Sequence, residues 1–133
     1  MDDQAGLISR RSRNDVPETA RRFRQAAEQA GMTVFADIDH GRNAEDVGLD
    51  LRPMRLILFG NPRAGTLLMQ LAATAGIDLP LKVLIWEDRD AAVWLTYNDP
   101  QWLAERHRLG ADADTTLRAI GAGLKAVVSA TAS

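Results

Sequence analysis

The 133-residue chain carries 16 Lys and Arg against 18 Asp and Glu, a formal net charge of -2, and is 46% hydrophobic. That size and balance fit one domain with a modest core, and argue against a disordered tail or a dedicated nucleic-acid binder. With no cysteine, disulfides, thiolate catalysis and sulfur-ligated zinc are excluded.

In chain order, Gly6 to Arg13 reads as a weakly apolar first strand at a sheet edge. Asp15 as N-cap, Glu18 three residues on and Pro17 in the first turn then predict a helix. Val16, Ala20, Phe23, Ala27 and Ala30 form its apolar stripe, and Gly31 ends it. Six arginines gather between Arg10 and Arg24, but Asp15 and Glu18 interrupt them, which describes a solvated helix face better than a nucleic-acid patch.

Thr33 to Ile38 reads as a strand with Val34, Ala36 and Ile38 on one face, followed by a short helix from His40 to Val47 that stops at Gly48. Pro53 opens a strand, Met54 to Phe59, whose nearly unbroken apolar character suggests a central position. A loop from Gly60 to Thr66 leads to a helix from about Leu67 to Ala75. Gly76 to Pro80 is a second rigid turn before a strand from Leu81 to Glu87. Asp88 to Ala92 connects it as a hairpin to Val93 to Tyr97. Asn98-Asp99-Pro100 caps a brief helix carrying Trp102 and Leu103. The segment Gly110 to Asp114 starts the last helix, whose buried stripe is Leu117, Ile120, Leu124 and Val127 or Val128. No repeat or linker is visible, so residues 1–133 are read as a single domain.

If the hairpin closes symmetrically, Trp86 sits opposite Trp94 on one sheet face, with Val83, Ile85, Val93, Leu95 and Tyr97 on the other. Two substantial helices can cover only one face. The tryptophan face then needs a partner, and a homodimer through the sheet is the expected solution.

Several segments stand in a familiar order: Ile38-Asp39-His40, Leu51-Arg52-Pro53, Phe59-Gly60-Asn61-Pro62, Gly65-Thr66-Leu67-Leu68-Met69, Asp78-Leu79-Pro80-Leu81, Trp86-Glu87-Asp88 and Tyr97-Asn98-Asp99-Pro100. Together they resemble the bacterial and archaeal domain of unknown function 302, over about Ser12 to His107. The resemblance implies an α+β fold like half of a TATA-binding protein, β-α-β(4)-α. Its curved antiparallel sheet would carry two main helices on one face, with short helical insertions. It also implies a dimer. It supplies no activity, and a fold likeness to a DNA-binding protein carries no functional weight.

The strand–Gly60-x4-Gly65-Thr66–helix spacing imitates a phosphate cradle. The lysine such a loop needs before Thr66 is absent and Arg63 lies elsewhere in it, so a nucleotide triphosphatase is not expected. Weak anion binding by backbone amides is weighed against a structural turn. Asp39-His40 could supply a base, yet His107 is the only other histidine, and Asp37, Asp39 and His40 do not converge as metal ligands. A polar cluster of Tyr97, Glu87 and Asp99 at shared strand ends is a further candidate. No nucleophile elbow or Ser-His-Asp spacing is present.

Two readings follow. The leading one is a small dimeric binding or accessory domain that holds a small polar or anionic ligand near His40, Asn61, Arg63, Gly65 and Thr66. The competitor is an enzyme with His40 as general base and an electrophile bound by the Gly65 and Thr66 amides. A scaffold that docks through Trp86 and Trp94 is a third option. No cofactor, metal, nucleic acid or membrane partner is expected. The start Met1-Asp2-Asp3-Gln4 lacks a signal-peptide layout and no apolar run is of spanning length, so a cytoplasmic location is expected.

Overall fold

Phe23 and Phe59 set the architecture: both are fully buried, with ring centroids 4.8 Å apart in an edge-to-face pair at 76°. In the computed structural model, which describes residues 5–133, this contact seats the first helix on one face of an antiparallel sheet. The elements run β1 (Leu7–Ser12), α1 (Val16–Gln29), β2 (Thr33–Asp39), α2 (His40–Asp46), β3 (Met54–Gly60) and α3 (Pro62–Leu71). They continue with β4 (Leu81–Glu87), β5 (Val93–Asn98), α4 (Pro100–Arg106) and α5 (Asp114–Ala132), with 3-10 turns at Ala73–Ile77 and Ala111–Ala113. The strand order β1-β5-β4-β3-β2 puts β1 at an edge and β3 next to the opposite edge. This is the α+β, β-α-β(4)-α order, with α2, α3 and α4 as the short insertions.

α1 forms for the reasons its sequence suggests. The Asp15 carboxylate accepts from the Glu18 amide at 2.9 Å, while Gly31, at a φ of 80°, lets Met32 N–H reach the Ala27 carbonyl. Val16, Ala20, Phe23 and Ala27 are buried, whereas Ala30 at the cap is exposed. Glu18 is pulled down to about 2 by hydrogen bonds from Arg21 and Arg22. Of the six arginines between Arg10 and Arg24, Arg21 and Arg22 thus form a local ion-pair array with Glu18 on a solvated face. Beside α1 on the same sheet face, α5 buries Leu117, Ile120, Leu124, Val127 and Val128.

The paired register Trp86↔Trp94 places the two indoles side by side, and Val83, Ile85, Val93, Leu95 and Tyr97 are buried on the helix face. On the open face Trp86 and Trp94 are joined by Leu84, Leu56 and Leu58, all half-buried. The indole N–H of Trp86 donates to Thr96 at 2.8 Å and that of Trp94 to Asp88 at 2.9 Å. The second bond holds the Asp88 carboxyl below its ordinary range.

Two expectations need correction here. Val34, Ala36 and Ile38 do not share a face. A bulge at Phe35 shifts the register, so Val34 opposes Phe59 on the helix side while Ala36 and Ile38 oppose Leu58 and Leu56 on the open side. The inserted residue turns Asp37 inward, where it pairs with Arg55 (Nε to Oδ1, 3.0 Å) and Arg24 (3.5 Å). That hydrogen bond raises the Arg55 guanidinium's pKa. Secondly, the Gly60 to Thr66 loop is a loop only as far as Asn61. α3 starts at Pro62 and stops at Leu71, five residues earlier than expected at its start.

Candidate functional site

The turn at the end of β3 is built by three residues. Gly60 adopts a φ of 155°, open to glycine and rarely to others. Asn61 then caps α3, its Oδ1 accepting from Arg63 N–H at 2.9 Å and Ala64 N–H at 3.4 Å. Pro62 fills the first helical position, where the missing N–H costs nothing. The Gly65 amide donates to the Asn61 carbonyl at 3.0 Å, and the Thr66 hydroxyl to the Pro62 carbonyl at 2.7 Å.

Those bonds decide against the cradle. The amides that would bind a phosphate or an oxyanion are already occupied by Asn61, so the helix start is self-capped. The likeness to a phosphate loop is one of spacing alone.

What the turn does shape is a hollow. Between α3 and α5 lies a cavity of about 630 Å³. Its other walls are Ala30 and Met32 at the end of α1, the bulged Phe35, and the Leu79-Pro80 turn before β4. Thr115, Thr116, Ala119, Ile120 and Gly123 form the α5 side. Phe35, Leu67 and Met69 remain substantially exposed at its rim. A Cβ added at Gly65 on the α3 side would meet Leu79 at 3.8 Å, an ordinary van der Waals contact, so this position has room for a side chain.

Asn61, Arg63, Gly65 and Thr66 all line this groove. His40 does not. It begins α2, immediately after β2, where Asp39 opposes Arg55, while Thr33 opposes Gly60 at the far end of the same ladder. The five residue steps along β3 put roughly 17 Å between His40's end of the sheet and Asn61's. Asp39 is engaged as the cap of α2, accepting from Arg42 N–H at 2.9 Å. An enzyme with His40 acting on a group held at Gly65 and Thr66 therefore cannot be assembled inside one chain. The proposed cluster of Glu87, Tyr97 and Asp99 separates in the same way. Glu87 opposes Val93 at one end of the β4–β5 ladder, and Tyr97 opposes Val83 at the other.

One polar assembly was invisible in the sequence. His107, with its side chain 5% exposed, joins Asp78 through Nε2 at 2.5 Å and Thr74 through Nδ1 at 2.9 Å. Arg106 Nη1 donates to the same carboxylate at 3.1 Å. A hydroxyl, an imidazole and a carboxylate in series suggest an activated nucleophile. The space beside them is about 10 Å³, too small for a substrate. The assembly instead ties the turn before β4 to the end of α4. The residues are 29 and 33 positions apart, and nothing in local pattern links them. Among the described residues no cluster of three metal-ligating side chains occurs.

The family model for the domain of unknown function DUF302 matches residues 8–127. The chain belongs to the DUF302 family. A crystal structure of an uncharacterised conserved DUF302 protein from Bacillus stearothermophilus superposes with a TM-score of 0.85, covering 96% of this chain and 99% of that one. At 17% identity it establishes the fold alone. Sequence relatives are named differently. A protein of Brucella suis biovar 1 (strain 1330) called fluoride-specific ion channel FluC 1 is 49% identical over 119 residues, 90% of this DUF302 chain and 47% of that protein. A namesake from Brucella abortus biovar 1 (strain 9-941) matches equally well over 44% of its length. The DUF302 chain thus spans about half the length of the curated relatives it matches. No helix among its described residues is long and apolar enough to cross a membrane.

Proposed function

We propose that this chain is an accessory domain that holds a small organic molecule in the groove between α3 and α5. The observation that carries the reading is the 630 Å³ hollow, within the roughly 300–1,000 Å³ of small-molecule sites. Its lining is mostly apolar, with Asn61, Arg63 and three threonines as the polar exceptions. Among the described residues no His, Asp, Glu, Lys or Ser lines it. A general base is therefore missing from its walls, and binding is favoured over catalysis. In the Brucella relatives the corresponding segment is under half of a protein named as a channel. No helix among the described residues of this segment is long and apolar enough to cross a membrane, which supports an accessory role for it. A bare halide would leave almost all of the apolar lining wet, so the ligand is larger and carbon-rich.

Thermal shift against a panel of metabolites of mixed polarity tests this, with Gly65→Leu as the blocking variant. Leucine fills the groove while improving helix propensity by up to about 1 kcal/mol. The variant should melt at or above the wild-type temperature and lose the ligand response. A flat wild-type response, or an identical response in both proteins, would defeat the reading.

A second reading concerns assembly and is compatible with the first. The adjacent indoles with Leu84, Leu56 and Leu58, all half-buried, form an apolar field on the sheet face away from α1 and α5, suited to a second copy of the chain. Trp94→Glu would bury an unpaired carboxylate in such an interface, at a cost of several kcal/mol. Sedimentation velocity should show twice the chain mass for wild type and the chain mass for the variant. Equal masses would rule the interface out.

A further inference from the structure

The groove's polar groups are one-sided. Among the described residues Arg63 is the only charged side chain on its walls; it is exposed and forms no ion pair with any of them, unlike Arg21, Arg22, Arg24, Arg52, Arg55 and Arg106. The Asn61 side-chain oxygen already accepts two amide bonds, which leaves its NH₂ as a donor. Thr115 and Thr116 make no side-chain hydrogen bond among the described residues, so both hydroxyls are available at the wall formed by α5. The remaining lining is aliphatic, thioether or aromatic, chiefly Met32, Phe35, Met69, Leu79, Leu81 and Ile120.

A neutral apolar ligand would press against Arg63 without neutralising it, and a cationic one would be repelled. A guanidinium favours a planar carboxylate, which it can bind through two parallel hydrogen bonds. We infer that the groove selects an organic carboxylate with an apolar body, its acid group on the Arg63 side and its carbon chain over Met32, Leu79 and Ile120. The inference rests on the groove being the small-molecule site and adds the class of occupant. The cation is supplied by α3 and the hydroxyls by α5, so such a ligand bridges two elements that otherwise leave a gap.

The test uses three probes of one shape, kept below their micellar concentrations and titrated calorimetrically at low ionic strength: decanoate, decanol and decyltrimethylammonium. Decanoate should bind at least about tenfold more tightly than decanol, and the cation weakest of all. Arg63→Gln should bring decanoate down to the level of decanol without moving decanol itself. Arg63→Lys should retain part of the preference, and 0.5 M salt should erode it. The Arg63 side chain holds nothing else in place, so its variants keep the fold, which circular dichroism verifies. Equal binding of decanoate and decanol, or indifference to Arg63→Gln, overturns the carboxylate inference while leaving the groove as a site. Decanoate failing to bind at all also overturns it. If the wider metabolite panel is silent too, the site itself falls.

Discussion

Phe23→Ala is expected to destabilise the protein by about 3–5 kcal/mol, the range for a fully buried phenylalanine truncated in a core. Phe23 has no solvent exposure and anchors α1 against Phe59 of β3. A helix of 14 residues is marginal when isolated in water, so α1 depends on this contact rather than on its own propensity. Removing the ring leaves a cavity bounded by rigid sheet residues, which cannot collapse as a loop would. Phe59→Ala should cost a similar amount. The double variant should recover about 0.5–1.5 kcal/mol of coupling from the edge-to-face pair. Urea titration followed by tryptophan fluorescence, at one fixed protein concentration because assembly would shift the midpoint, measures all three. A loss below 1.5 kcal/mol for Phe23→Ala would mean that α1 is held by something else.

Asp78→Ala should cost about 2 kcal/mol, for a different reason. The carboxylate accepts from Arg106 and is joined to His107 on the mostly buried side of α4. Arg106 is 47% exposed, so its ion pair contributes little after solvent screening. The larger part comes from leaving the His107 ring without its partner, a penalty of about 1–3 kcal/mol for a desolvated polar group. Asp78→Asn keeps an acceptor and should lose less than half as much. Denaturation midpoints separate the two. Hydrogen exchange should show faster opening of the 73–80 turn, since Asp78 and Thr74 are its two attachments to His107. An alanine variant as stable as wild type would make the cluster incidental.

Much of the fold could be read from the sequence because its signals were local. The cap at Asp15, the stripe of α1, the hairpin that pairs Trp86 with Trp94 and the stripe of α5 each lie within one or two elements. The faults arose where one residue reversed a rule. Phe35 is one residue too many for strict alternation, and it moved Ala36 and Ile38 across the sheet. Asn61-Pro62 carries the same N-cap and proline signal as Asp99-Pro100. Two nearby glycines made the first pair look like a loop. The walls of the candidate groove were half legible. Turn chemistry pointed to Asn61, Arg63, Gly65 and Thr66, which do line the groove. The antiparallel order of β2 and β3 already implied that His40 lies at the other end. The facing wall, from α5, and the Asp78–His107 tie depend on packing between distant segments, which no local pattern encodes.

The rims of the sheet limit how this domain can meet others. One rim is β1, where Arg10 and Arg11 accompany a short strand of 6 residues. The other is β2, interrupted by its bulge and carrying Asp37 and Asp39. Charges, shortness and a bulge are the features that stop a stray strand from adding to an open edge. Growth by end-to-end strand addition, the route to fibres, is thereby closed at both ends. What such rims leave available for contact is the open face of the sheet, whose area is finite, so an assembly built there would not extend indefinitely.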